Sequence, residues 1–205
     1  MQIDFCDLQK QYSFLKDEIN LLIKNVLEHG KFINGPEVKE LEDKCSEYVG
    51  TKYAVGVGSG TDALLISLMC LNVKPGDFII TTPFTFISCA EVISLLGATP
   101  VFVDIDEETY NISPKKIREF LSWPTNPVTK EKIIAERIKG IIAVDLFGQC
   151  ADYNDLNKIC EEYNLFLIED GAQSFGGEYF GKKACSLGDI SITSFFPSKP
   201  LGGYG

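Results

Sequence analysis

From residue 53 onward, short apolar runs alternate with stretches of helical periodicity, and this alternation is what most restricts the fold. The runs are YAVGV (53–57), FIITT (78–82), TPVFVDI (99–105), GIIAVDLF (140–147), FLIED (166–170) and ISITSFF (190–196). They are rich in β-branched and aromatic residues and nearly continuous, as strands covered on both faces are. The segments between them read as helices. One spans 61–72 on Leu64, Leu65, Leu68 and Leu71, and another spans 85–96. A third covers 114–121, with Ser113 as N-cap and Pro114 following it. A fourth covers 153–164, capped by Asp152, with Leu156, Ile159, Cys160 and Tyr163 inward. Strand–helix–strand repeated this often predicts an α/β fold, a mostly parallel sheet flanked by helices. In such a sheet, ligands bind beyond the carboxyl ends of the strands.

Two helices precede this pattern. Residues 12–29 place Leu15, Ile19, Leu22, Ile23 and Val26 on one stripe, with Gly30 as the stop. A second helix starts at Pro36, turns Val38, Leu41, Cys45 and Tyr48 to one side, and ends at Gly50. Residues 1–50 therefore read as an N-terminal helical segment and 51–205 as the main body. The stretch SWPTNPVTKEK (122–132) reads as a polar surface loop, because its two prolines interrupt any helix.

Composition narrows the function. With 205 residues, 45% hydrophobic and 11% aromatic, the chain has material for a sizeable core and is not a disordered segment. Nineteen Lys and Arg against twenty-nine Asp and Glu give a formal charge of -10, which argues against binding nucleic acid through its phosphates. No run is long and apolar enough to cross a bilayer, and MQIDFCDLQKQY lacks the features of a secretory signal, so a cytoplasmic protein is expected. Seven scattered cysteines without a CxxC pair suggest neither a disulfide framework nor a zinc site. His29, the single histidine, is too little for a His-based metal centre, and a Ser-His-Asp triad would have to draw on that same residue.

The strand ends carry the unusual residues. GSGTDAL (58–64) runs from a predicted strand directly into a helix, and Gly56, Gly58 and Gly60 permit close backbone approach. The free N–H groups at Thr61 and Asp62 suit a phosphate, although glycines like these serve a tight turn equally well. Read as G-x-G-x-x-A, the segment also resembles a dinucleotide fingerprint, which would make the protein an NAD(P)-dependent oxidoreductase. That fingerprint needs an acid at the end of the second strand, whereas Asp77 precedes this strand and Thr81, Thr82 and Pro83 end it. Asp170 emerges from a buried run, where an unpaired carboxylate is costly; it either caps the next turn or faces a cationic ligand, with Gln173 nearby. Lys199 is held between Pro197 and Pro200, a stiff apolar setting that suits an amine nucleophile rather than a solvated charge. Phe84 and Phe86 follow the second strand, as core packing or as the wall of a ring-binding site. A phosphate cradle, an aromatic wall, a buried Asp and a constrained Lys together are what pyridoxal phosphate requires.

The segments GSGTDAL, PFTFIS, IEDGAQSFGG and SFFPSKPLGGYG, with DLQKQY and NGPEVKELE before them, resemble the DegT/DnrJ/EryC1/StrS family of sugar aminotransferases. FGQCADY and SFFPSKPLG are most similar to members that aminate UDP-linked 3-oxo-N-acetylglucosaminuronate. The resemblance implies fold type I of the pyridoxal-phosphate enzymes and a homodimer. It implies that Lys199 links to the cofactor and shuttles protons, that Asp170 keeps the pyridine nitrogen protonated, and that Gln173 contacts the ring hydroxyl. Phe86 would stack on the ring, while Gly60, Thr61, the backbone of Asp62 and the Ser194 hydroxyl would bind the phosphate. An amino donor, L-glutamate, would supply nitrogen to a nucleotide-linked keto sugar for surface polysaccharide or related amino-sugar synthesis. Family dehydratases carry His at the lysine position, and Lys199 speaks against that chemistry. Members continue past the lysine loop into an antiparallel strand and a small C-terminal domain, so 51–205 resembles an incomplete, truncated large domain. An inactive family member is the corresponding alternative.

Overall fold

A computed structural model describes residues 6–126 and 128–204. Pro127, one of the two prolines behind the loop expectation, and Gly205 lie outside them. Helices α1 (Leu8–His29), α2 (Pro36–Val49) and α3 (Gly60–Cys70) lead into β1 (Phe78–Thr81). Then come α4 (Ser88–Leu95), β2 (Thr99–Phe102), α5 (Pro114–Ser122), β3 (Ile138–Val144) and α6 (Tyr153–Tyr163). The described chain closes with β4 (Phe166–Asp170), the short pair β5 (Glu178–Tyr179) and β6 (Lys182–Lys183), and β7 (Ile190–Ile192). Strands β2-β1-β3-β4-β7 form one sheet in that order, and each of its ladders is parallel.

Adjacent strand residues serve opposite faces, which explains why the runs are continuously apolar. Ile80 and Ile141 join α5 and α6 residues Ile117, Leu121, Leu156 and Ile159 in one core. Their neighbours Ile79 and Ile142 join Leu64, Leu68, Val92 and Ile93 of α3 and α4 in the other. The sheet is thus covered on both sides by helices whose local signals were readable. Gly30 and Gly50 end α1 and α2 in the left-handed conformation, at φ 66° and 79°. The Ser113 and Asp152 side chains accept from Lys116 N and Asp155 N, as N-caps do. All seven cysteines are free.

Several expectations need correction. Residues 53–57 form no strand: Tyr53 and Val55 are 74% and 78% exposed, and the Gly56 N–H donates to Glu42 Oε1 at 2.8 Å instead of entering a ladder. Extended chain becomes a strand only by pairing, and no described strand flanks it. The third and sixth runs leave the sheet after Phe102 and Ile192, and helix α4 begins three residues later than expected. The stripe of α1 buries nothing, with Leu22 and Ile23 more than half exposed, and of α2 only Val49 is buried. Within 122–132 an antiparallel bridge joins Thr125 and Lys132.

Gly140 marks a close approach between β3 and β4. It pairs with Phe166, and a Cβ at Gly140 would lie inside van der Waals contact of the Phe166 ring. Gly140→Ala is expected to cost about 1–3 kcal/mol by overpacking, read as a lower urea midpoint at unchanged slope. An unchanged midpoint would show that the ring moves aside freely.

Candidate functional site

The carboxyl ends of β4 and β7 lie side by side, with the Gly171 N–H donating to Ile192 O at 2.9 Å, and the amino end of α3 packs on the residues after β7. The Ser59 side chain starts α3: its Oγ accepts from Asp62 N at 3.0 Å and donates to Asp62 Oδ2 at 2.8 Å. Gly60 then lies directly against the residues after β7. A Cβ there would stand 3.2 Å from Ser194 Cβ and 3.4 Å from Thr193 O, so glycine lets the start of α3 pack closely on these residues. The Ser194 hydroxyl is beside it and accepts from Phe196 N at 3.3 Å. Among the described residues, no acceptor is bonded to the N–H of Gly60 or Thr61. The Asp62 N–H, expected to serve the phosphate, is already engaged by Ser59. A dinucleotide fingerprint has no footing here, because among the described residues no strand precedes the glycines.

Asp170 closes β4 and is only 6% exposed. Its Oδ1 accepts from Ala172 N at 3.1 Å, so the carboxylate does cap the following turn. Its Oδ2 accepts from the buried Cys89 thiol of α4 at 3.4 Å. Burial pushes the Asp170 acid above the usual carboxylate range, with Glu169 adding to the rise. The Ala172 and Cys89 hydrogen bonds and the positive charge of Lys199 work against that rise, so Lys199 stands within electrostatic reach. A buried carboxylate so placed, with weak thiol donation on one oxygen, suits a cationic N–H on a ligand.

Lys199 is half-buried on the turn after β7, where its N–H donates to Phe196 O at 2.8 Å. Gln173 is half-buried, and its Oε1 accepts from Phe147 N at 2.7 Å. The structure thus groups Gly60 with Ser194, and Asp170 with Cys89. Phe86 is different: it is 65% exposed on the segment after β1 and makes no ring contact with another described residue. Phe84 packs instead with Tyr110 and Phe147, at ring separations of 6.0 and 6.5 Å.

Sequence reasoning missed three polar groups behind this site. Asp145 and Glu169 are fully buried, and Cys89 supplies the thiol to Asp170. The signal for the two acids was present, since each follows or ends an apolar strand as Asp170 does. Cys89 carries no such signal, because a core cysteine and a hydrogen-bonding one look alike in sequence. No group of three or more His, Cys, Asp or Glu among the described residues is arranged to hold a metal ion.

Known proteins resemble this chain in sequence and in fold. The chain is 49% identical over 203 residues to the UDP-2-acetamido-2-deoxy-3-oxo-D-glucuronate aminotransferase of Pseudomonas aeruginosa, covering 99% of this chain and 53% of that one. A DegT DnrJ EryC1 StrS aminotransferase from Brucella abortus superposes with a TM-score of 0.91 at 39% identity, over 100% of this chain and 53% of the other. NtdA from Bacillus subtilis, solved with bound cofactor PMP, gives 0.76 at 32% identity over 90% and 38%. The chain spans about half the length of the curated relatives it matches. The pattern of one family matches residues 14–205. The chain belongs to the DegT/DnrJ/EryC1/StrS aminotransferase family.

Proposed function

We propose that the protein containing this chain moves an amino group from an amino acid, L-glutamate, to a nucleotide-linked keto sugar, with pyridoxal phosphate as cofactor. The closure of Gly60 on Ser194, beside a buried Asp170 within electrostatic reach of Lys199, carries this reading. The cofactor fits that site: the Gly60 and Thr61 N–H groups, with no acceptor among the described residues, and the Ser194 hydroxyl beside them suit a phosphate, and a buried carboxylate suits a ring N–H. The likeness to sugar aminotransferases supports the substrate class.

When bound, pyridoxal phosphate supplies an electron sink that holds the nitrogen between the two half-reactions. The protein's residues do the rest. The backbone at Gly60 and Thr61 and the Ser194 hydroxyl bind the phosphate, with the Asp62 N–H contributing only if Ser59 releases it. Asp170 holds a proton on the ring nitrogen. Gln173 Nε2 donates to the ring oxygen, and Phe86 covers one face of the ring and excludes water there. Lys199 Nζ anchors the cofactor covalently and moves a proton in both half-reactions. On the same reading the working unit is a cytoplasmic homodimer, in which an N-terminal segment carrying α1 and α2 precedes the cofactor-binding domain that 51–205 belongs to. No described helix is long and apolar enough to cross a membrane.

The test uses the full-length protein incubated with pyridoxal phosphate. A visible absorbance band that L-glutamate bleaches, and a pyridoxyl adduct located on Lys199 after borohydride reduction, are the expected results. Tight NAD binding without that band would favour the oxidoreductase instead.

A further inference from the structure

Two fully buried carboxylates stand behind the candidate site, and the proposed reaction uses neither. Glu169 is satisfied by its own surroundings: it accepts from Cys185 N at 2.5 Å, Leu187 N at 2.7 Å and the Ser191 hydroxyl at 2.6 Å. Those bonds fix the segment between β6 and β7 and go no further. Asp145, the residue after β3, is connected differently. Its Oδ1 accepts from Ala151 N at 2.9 Å and the Tyr153 hydroxyl at 2.8 Å, which anchors the start of α6. Its Oδ2 accepts from the Ser174 hydroxyl at 2.8 Å, and its own N–H donates to Asp170 O at 3.0 Å. One residue, through its side chain and its backbone, therefore joins the turn after β3, the first residues of α6 and the segment from Asp170 to Ser174.

Gln173 lies within that last segment, and the turn that Asp145 opens is what holds it. Phe147 adopts φ 58° and ψ 16°, followed by Gly148 at φ 88°. A phenylalanine keeps a left-handed backbone only where its surroundings dictate it. Asn111 helps: its Oδ1 accepts from Leu146 N at 3.1 Å and its Nδ2 donates to Gln149 O at 2.9 Å. The turned Phe147 N–H then donates to Gln173 Oε1 at 2.7 Å. A backbone N–H can only donate, so the Gln173 oxygen must face it and the amide N–H groups must face elsewhere. Nε2 has no hydrogen-bond partner among the described residues.

We propose that Asp145 is a positioning residue for Gln173: by tying the Asp170–Ser174 segment to the 146–148 turn, it fixes the Gln173 amide with its N–H groups available to a ligand in the crevice. This rests on the proposed function, in which Gln173 donates to the cofactor's ring oxygen. Burial beside Glu169 pushes the Asp145 acid up to about 7, while the Ala151, Tyr153 and Ser174 donors oppose the rise. The other titratable groups near it are Cys150 and Tyr153, and its charge also reaches Cys185, whose backbone N–H donates to Glu169.

Asp145→Ala empties a buried polar site and risks misfolding, so the decisive variant is Ser174→Ala, which cuts only the tie from Oδ2 to the Gln173 segment. In the full-length protein, Ser174→Ala and Gln173→Ala are each expected to weaken pyridoxal phosphate binding about tenfold, the worth of one hydrogen bond. Each is also expected to shift the pH midpoint of the bound cofactor's absorbance in the same direction. The double variant is expected to do no more than Gln173→Ala alone, because Ser174 then has nothing left to position. Additive losses, or a Ser174→Ala protein with lower thermal stability but unmoved affinity and midpoint, would overturn the proposal and leave Asp145 a structural brace. A wild-type protein that shows no cofactor band at all overturns the functional reading and this proposal with it.

Discussion

Lys199→Ala is expected to abolish turnover while phosphate and ring contacts still hold the cofactor. Two losses combine in one amine. The covalent link to the cofactor disappears, and so does the proton carrier, a role worth roughly 10²–10⁴-fold by itself. The fold should not suffer, because the turn is held by the Lys199 backbone N–H on Phe196 O at 2.8 Å, which alanine keeps. The change also reaches Asp170. The lysine's charge holds the Asp170 acid down against burial, so its removal should let that acid rise further and weaken its hold on a ring proton. Full-length Lys199→Ala protein should therefore show no adduct after borohydride reduction, yet still bind pyridoxamine phosphate. Normal glutamate-dependent amination by this variant would refute the assignment of Lys199.

What was legible in the sequence follows from how local each feature is. The buried strands of β1, β3 and β4 were readable because helices cover both faces, so Ile79 and Ile80, or Ile141 and Ile142, serve different cores without a polar gap. Caps at Gly30, Gly50, Ser113 and Asp152 were readable because a cap is decided within one turn of chain. Pairing is not local, and there the sequence misled. Residues 53–57 have strand composition, but their backbone is tied to Glu42 and lacks a ladder. The α1 stripe has helical spacing, yet spacing says nothing about what covers it. The β5–β6 hairpin was hidden for a different reason. Its turn places Phe180 and Gly181 at φ 47° and 79°, and a phenylalanine does not announce a left-handed position as asparagine does.

The same division holds at the site. Asp170 and Lys199 were legible because each is chemically out of place in its surroundings, a carboxylate ending a buried strand and an amine between prolines. Gly60 was legible as a glycine before a helix, but its contact with Ser194 joins residues far apart in the chain and is visible only in three dimensions. The Phe147–Gln173 and Cys89–Asp170 hydrogen bonds are equally long-range. Gln173 was expected to meet a ligand; that its oxygen is already committed could not be read from its neighbours in sequence.

Asp170→Asn is expected to collapse turnover while the protein stays folded and retains part of its cofactor affinity. Asparagine matches the shape of aspartate, and its oxygen can still accept from Ala172 N. What it lacks is the charge. A hydrogen bond donated by the ring N–H to a charged carboxylate is worth on the order of 1.5–3 kcal/mol, and without it the ring loses the proton that makes it an electron sink. Stability should move the other way. Burial raises the Asp170 acid in the folded protein, so the folded state holds this proton more tightly than the unfolded chain does. That contribution is fully present below the unfolded carboxylate range and fades as pH climbs through the raised folded value. Above that window the buried charge opposes folding, and the neutral amide removes the opposition. Apo Asp170→Asn protein at neutral pH is therefore expected to unfold at a urea concentration at least equal to that of the wild type, while its glutamate-dependent rate falls far below it. A variant with an unchanged rate would make Asp170 a structural cap alone. One that loses stability and activity together would mean that the carboxylate's bonds to Ala172 and Cys89, rather than its charge, are what the site requires.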